Sequence, residues 1–155
     1  MCGGRSKLPN PDQVLAFKGL CNLRIAQAEE ETGQPLNVSH DFGDYAHFHK
    51  PRGFGVTFIE PGYCHMRFAY KLAAAELHRA DAIIRHELGH VCDALIPAGR
   101  LNAWAKSRGV PLAKTVEVRA DDIAHAIWGT KLKYDKDTVQ STIHGRAKRP
   151  KHLGL

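Results

Sequence analysis

The sequence contains no long apolar run. No stretch approaches the ~20 consecutive apolar residues that a membrane-spanning helix requires. The first residues, 1–5, also lack the apolar stretch of about 7–15 residues that marks a secretory signal peptide. We therefore expect a cytoplasmic protein that has no membrane partner.

Paired cysteines are also missing. The four cysteines contain no Cys-x-x-Cys pair and lie far apart, at Cys2, Cys21, Cys64 and Cys92. This spacing argues against the disulfide framework of a small secreted protein and against a cysteine-rich structural zinc site. We interpret the cysteines as reduced thiols of an intracellular protein.

Charge is unevenly distributed along the 155 residues. The net charge is +6, and the segment 131–155 carries seven Lys or Arg residues against two Asp, which leaves +5 in this segment. Hydrophobic residues make up 43% of the chain, which suits one globular domain with its own core. We predict that domain at 1–130 and a basic, partly mobile tail at 131–155. The tail has no DNA-reading motif, so we expect only a weak, non-specific attraction to nucleic acid.

Helical and strand patterns follow one another in a way that predicts an α+β fold. Asn10 and Pro11 are typical of a helix start, and apolar residues then recur at helical spacing up to Gly33. Segments rich in aromatic and β-branched residues, separated by Gly and Pro, then predict three or four short strands. The predicted strands include 45–49, 54–59 and 63–70, and two later helices are predicted at 81–96 and 112–128.

The helix predicted at 81–96 contains the motif His86-Glu87-Leu88-Gly89-His90. Residues four apart lie on the same side of a helix, one turn from each other, so the two imidazoles can share one zinc ion. A carboxylate that directly follows the first histidine lies beside the metal, where it can accept a proton from metal-bound water. We therefore predict zinc ligands at His86 and His90 and a general base at Glu87.

A catalytic zinc site needs a third protein ligand. The helix predicted at 112–128 offers Glu117, Asp121 and His125, which follow each other at intervals of one turn. Ligand chemistry and helix facing favour Glu117 and leave the other two as alternatives. Hydrolysis also needs a group that stabilises the oxyanion. The candidates for that role are His125, Tyr70, Tyr134 and His47.

An HExxH motif followed on a later helix by Glu117-Val118-Arg119-Ala120-Asp121 resembles the gluzincin metallopeptidases. Among these, residues 60–130 are most similar to the small IrrE/ImmA-type and phage-encoded peptidase domains. The resemblance implies a minimal zincin-like domain with an N-terminal helix, a small sheet, the HExxH helix and a glutamate helix. It also implies that Glu117 is the third zinc ligand and that Asp121 hydrogen-bonds a ligand histidine, which fixes the histidine tautomer.

Together these residues predict zinc-dependent hydrolysis of peptide bonds. Glu87 would activate the attacking water and then carry its proton to the leaving amine. The strand predicted at 63–70 would lie at the cleft edge and pair with an extended protein or peptide substrate. Two alternatives come from other classes of protein. One is a catalytically inactive, zinc-stabilised binding protein that docks on nucleic acid through its basic tail, and the other is a metal-dependent amidohydrolase that acts on a non-peptide substrate.

Overall fold

The computed structural model describes residues 9–43, 54–75, 77–129 and 146–147. In chain order the elements are α1 (Pro11–Thr32), β1 (Val38–Gly43), β2 (Gly55–Glu60), β3 (Tyr63–Ala69), α2 (Tyr70–Ala73), α3 (Leu77–Leu95), α4 (Ala98–Ser107), α5 (Val116–Trp128) and β4 (Arg146–Ala147). The predicted α+β class is confirmed. None of the described helices is both long enough and apolar enough to cross a membrane.

The N-terminal helix begins and ends where the sequence predicts. The side chain of Asn10 accepts a hydrogen bond from the amide of Gln13, and the Gln13 side chain accepts one from the amide of Asn10. This reciprocal capping box satisfies two amides that the first turn of a helix leaves without partners. At the other end Gly33 has φ +67°, and its amide donates to the carbonyl of Glu29. The predicted helix is confirmed.

Four helices differ from the prediction, and one of them, α2, begins at Tyr70, which the sequence places at the end of a strand. α3 begins four residues before the predicted start, and α5 begins four residues after it, at Val116. α5 starts late because the backbone of Thr115 is extended, with φ −70° and ψ 128°, and Thr115 is the N-cap. The sequence does not predict α4, because the Pro-Ala-Gly run at 97–99 is typical of a turn. The strand predicted at 45–49 lies outside the described residues.

The strands form one mixed sheet in the order β1-β3-β2-β4. β2 and β3 form an antiparallel hairpin, and its turn contains Gly62 with φ +71°, a left-handed conformation that glycine adopts without steric cost. β1 runs parallel to β3, so that Phe42 lies opposite Phe68. β3 is therefore an inner strand of the sheet.

This strand order makes the expectation of a substrate-pairing edge at 63–70 wrong. β3 has no open edge, because β1 pairs with one of its sides and β2 with the other. The sequence does not predict β1, since Ser39, His40 and Asp41 interrupt any alternation of apolar and polar residues. β2 packs against α3, and its residue Thr57 hydrogen-bonds Glu87 of that helix.

The core lies between the sheet and helices α1, α3 and α5. α3 is its central element, since eleven of the 19 residues of this helix are buried. Cys21, Cys64 and Cys92 are buried here as free thiols, as expected. Burial raises the pKa of Cys21 and of Cys92 to about 12, which keeps both thiols protonated at neutral pH. Apart from β4, the predicted tail lies outside the described residues.

Candidate metal centre

His86 and His90 lie one turn apart on the side of α3 that faces α5. Both are buried, with exposed fractions of 3% and 0%. Their rings are nearly perpendicular, at 88°, and their Nε2 atoms are 3.2 Å apart. The helix holds them there because neighbouring apolar residues, Ile84, Leu88 and Val91, are fully buried in the core. The two imidazoles therefore converge on one point.

Glu117 brings a carboxylate to the same point from α5. Its Oε1 atom is 3.0 Å from Nε2 of His86 and 3.1 Å from Nε2 of His90. The three side chains thus offer two nitrogen atoms and one oxygen atom at the corners of a nearly equilateral triangle. This group could hold a metal ion. Of the three candidates for a third ligand, Glu117 is the one whose carboxylate lies beside both histidines.

Asp121 holds the other side of the first histidine. Its Oδ1 atom is 2.6 Å from Nδ1 of His86. A carboxylate can only accept, so Nδ1 of His86 is the donor. In the neutral imidazole the proton is then on Nδ1, and Nε2 carries a lone pair that faces the triangle. Asp121 therefore contacts His86 at the ring nitrogen that does not belong to the triangle.

The separations within the triangle suit a metal ion and also lie within hydrogen-bonding range. Ligand atoms at bond lengths of ~2.0–2.1 Å in a tetrahedral site are about 3.4 Å apart, close to the observed separations of 3.0, 3.1 and 3.2 Å. With neutral His86, its Nε2 lone pair faces a carboxylate that also has only lone pairs. Such an arrangement needs a cation, which is either an added proton or a metal ion.

The pKa values of His86 and Glu117 also indicate that a positive charge is favoured between these side chains. Burial lowers the pKa of His86, but its hydrogen bonds to Asp121 and Glu117 outweigh burial and raise that pKa to about 10. Burial raises the pKa of Glu117, and the hydrogen bonds from His86 and His90 outweigh it and lower that pKa to about 2. Both pKa shifts include the effect of the same hydrogen bond between His86 and Glu117. Without metal, the pocket therefore holds a protonated His86 beside an ionised Glu117.

Glu87 is fully buried next to this group. Its Oε1 atom accepts a hydrogen bond of 2.8 Å from the hydroxyl of Thr57 on β2. Its Oε2 atom has no hydrogen-bond partner among the described residues and lies 4.0 Å from Nε2 of His86. Burial raises the pKa of Glu87, although the neighbouring histidines and Thr57 oppose that rise. One oxygen of this carboxylate is thus held by β2, and the other lies beside the triangle.

A close contact between helices brings the two halves of the site together. A Cβ atom added to Gly89 would overlap the carbonyl oxygen of Ala120 and lie 2.8 Å from its carbonyl carbon. The absence of a side chain at Gly89 therefore lets α5 approach α3 closely, with Glu117 and Asp121 on either side of the contact. The sequence by itself does not predict this role of Gly89. The available signal was a glycine inside a helix, which usually has a packing reason.

An ion pair also joins these two helices. Nε of Arg119 donates to Asp93 at 2.8 Å, and a second nitrogen of the same guanidinium donates to Asn102 on α4. Asp93 and Arg119 are largely buried, with side-chain exposures of 12% and 13%. Because Arg119 lies between Glu117 and Asp121 in the sequence, the pair fixes the part of α5 that carries both carboxylates.

Among the described residues, neither of the two oxyanion candidates, Tyr70 and His125, belongs to the group of potential metal ligands. Tyr70 stacks on Phe42, with ring centroids 5.5 Å apart, and is partly exposed. His125 lies one turn beyond Asp121 and makes no side-chain hydrogen bond to His86, His90 or Glu117 within the described part of the chain. The other two candidates, at positions 47 and 134, lie outside the described residues.

Comparison with known proteins adds no family to this geometry. No protein-family model, curated protein or solved structure matches the chain. The resemblance to gluzincins therefore remains a prediction, which depends on the HExxH motif and the glutamate helix. The chemistry of the site has to be argued from its own residues.

Proposed function

We propose that the protein is a zinc-dependent metallopeptidase. The observation that carries this proposal is the convergence of His86, His90 and Glu117, with an unpartnered oxygen of Glu87 directly beside them. A buried carboxylate oxygen without a hydrogen bond is costly and rare, and such exceptions are concentrated at functional sites. In the proposed function, this oxygen of Glu87 accepts a proton from the attacking water.

The donor set supports zinc as the metal. Two imidazole nitrogens and one carboxylate oxygen are a ligand set of catalytic zinc, which leaves one position open. Zinc bound by these ligands would supply a Lewis acid that polarises a carbonyl group and lowers the pKa of a coordinated water. Asp121 would hold His86 in the tautomer that presents Nε2 to the ion, and would make it a stronger ligand.

Glu87 is the residue that would move protons. Its free Oε2 atom can accept a proton from the attacking water and deliver it to the departing amine nitrogen. Burial raises the pKa of this carboxyl group, which makes it a better base than a solvated glutamate. Thr57 holds Oε1, so one oxygen remains available for the transfer.

Metal content of the purified protein tests the site. We expect about one zinc per chain in the wild type, none in His86→Ala and much less in Glu117→Ala, measured by mass spectrometry without added metal. His78→Ala is the matched control, because this histidine is exposed on the same helix. A wild type that stays free of zinc even when zinc is offered would contradict the proposal.

Glu87→Gln separates catalysis from metal binding. This variant keeps the shape of the side chain and removes its basic oxygen, so we expect zinc at the wild-type level and a loss of hydrolysis of at least about a hundredfold. A mixed peptide library, read by mass spectrometry, avoids any assumption about the cleavage site. If Glu87→Gln cleaves the same peptides at the wild-type rate, Glu87 is not the general base.

A further inference from the structure

β2 forms the wall of the pocket that holds Glu87. Gly55 and Thr57 are two residues apart in this strand, so both face α3. Thr57 is fully buried, and its hydroxyl is within reach of two oxygen atoms of Glu87. Nothing in the local sequence pattern marks either residue as functional. Their placement beside the predicted general base appears only when the strand packs against the helix.

The Thr57 hydroxyl is committed to the Glu87 carboxylate. It lies 2.8 Å from Oε1 and 3.3 Å from the backbone oxygen of the same residue. A hydroxyl has one proton, and the shorter contact to a charged acceptor is the stronger one. The β-branched side chain of threonine also has few rotamers, so burial in a strand fixes the direction of this donor.

Gly55 sets how closely Glu87 approaches the strand. A Cβ atom at this position would lie 3.3 Å from Cγ of Glu87 and 3.1 Å from Cδ1 of Phe68. These separations are tighter than ordinary carbon contacts of about 3.5–4.0 Å. The stem of Glu87 therefore lies directly against backbone at Gly55, and its Oε1 lies against the hydroxyl at Thr57.

We propose that Thr57 is a positioning residue for the general base. Rotation about the last torsion of a glutamate side chain is soft, so a carboxylate in an open pocket has no preferred orientation. By holding Oε1 against β2, Thr57 determines that Oε2 is the oxygen presented to the histidines and to the attacking water. The inference depends on the proposed role of Glu87, and its tests separate the two.

A double-mutant cycle on the metal-free protein tests the hydrogen bond itself. Thr57→Val should lower the ratio of folded to unfolded protein roughly tenfold, because it leaves Oε1 of a buried carboxylate without a donor. In the Glu87→Met background the same change should matter less than about threefold. Urea unfolding in the presence of a chelator gives these values. Equal effects in both backgrounds would overturn the inference, whether or not the protein binds zinc.

A ligand-binding assay tests the positioning role. The probe is acetohydroxamate, a zinc chelator whose hydroxamate oxygen would take the place of the metal-bound water beside Glu87. In zinc-loaded protein, Thr57→Val should weaken its binding by about tenfold without changing the zinc content, and Thr57→Ser should restore it to within about threefold. Thr32→Val is the control, because the Thr32 hydroxyl binds the carbonyl of Ala28, on α1.

The outcomes of this assay are distinct. Wild-type affinity in Thr57→Val, or no rescue by Thr57→Ser, would overturn the positioning role. Weakening that persists unchanged in the Glu87→Met background would also overturn it, because the effect would not pass through Glu87. A wild type without zinc would instead contradict the proposed function, and the unfolding cycle would still decide whether Thr57 and Glu87 are coupled.

Discussion

Replacing Gly89 by alanine tests how α3 and α5 assemble the site. The new Cβ atom would lie 2.8 Å from the carbonyl carbon and 2.9 Å from Cα of Ala120. Carbon atoms in ordinary contact are about 3.5–4.0 Å apart. The obstacle is helix backbone, which has no alternative rotamer. α5 would therefore have to move away by ~0.6–1.2 Å to restore normal contact distances.

Two contributions of opposite sign determine the change in the free energy of unfolding. Alanine is more favourable than glycine inside a helix by about 0.5–1 kcal/mol. Overpacking a tightly packed core costs about 1–3 kcal/mol, and a backbone obstacle belongs in the upper half of that range. We expect Gly89→Ala to destabilise the metal-free protein by about 1–2.5 kcal/mol, as the difference between these two contributions.

The same movement should weaken metal binding. Glu117 lies on the moving helix, while His86 and His90 lie on α3, so the triangle of ligand atoms would open. We expect the dissociation constant for zinc to rise at least about tenfold, which corresponds to 1.4 kcal/mol of binding free energy. Competition with a coloured chelator measures this constant, and urea unfolding measures the stability.

Gly19→Ala is the matched control for this prediction. Gly19 is exposed within α1, and an added Cβ atom there would have no neighbour within 4 Å. This variant should gain the helix-propensity term alone, about 0.5–1 kcal/mol, and bind zinc normally. If Gly89→Ala were stabilised as much as Gly19→Ala and also bound zinc normally, the close contact between α3 and α5 would be refuted.

Three further predictions concern the charge of His86 and of its partner Asp121. The pKa of His86 is about 10 in the metal-free fold, above its ordinary value of 6.5; its contribution to stability is therefore complete below about pH 6.5 and is lost as the pH rises towards 10. Urea unfolding of wild type and His86→Ala in chelator should show this fall as a difference between the two, and a constant difference would contradict it. Zinc replaces the proton, so zinc affinity should rise over the same pH range. Asp121→Asn should weaken zinc binding by about 10–100-fold, because a neutral amide does not raise the basicity of His86 as a carboxylate does. Unchanged zinc affinity in this variant would show that Asp121 does not contribute to zinc binding.

The sequence alone predicts the elements whose signals are local. The capping box at Asn10 and the terminal glycines Gly33 and Gly129 mark helix ends, because they satisfy backbone groups within a few residues. The spacing of His86 and His90 places both on one helix face, since a helix has a fixed period. The α+β class and the group of potential metal ligands follow from such patterns.

Only the tertiary structure decides which strands are neighbours and which helices touch. β1 pairs in parallel with β3, a contact between distant segments that no local pattern encodes, and it turns the expected edge strand into an inner one. The approach of α5 at Gly89 and the hydroxyl of Thr57 against Glu87 are of the same kind. Both depend on packing between segments about 30 residues apart in the chain, as for Thr57 and Glu87. The sequence by itself therefore determined the potential metal ligands of α3, and the packing of β2 and α5 determined their surroundings, because burial and contact distance are properties of the assembled fold.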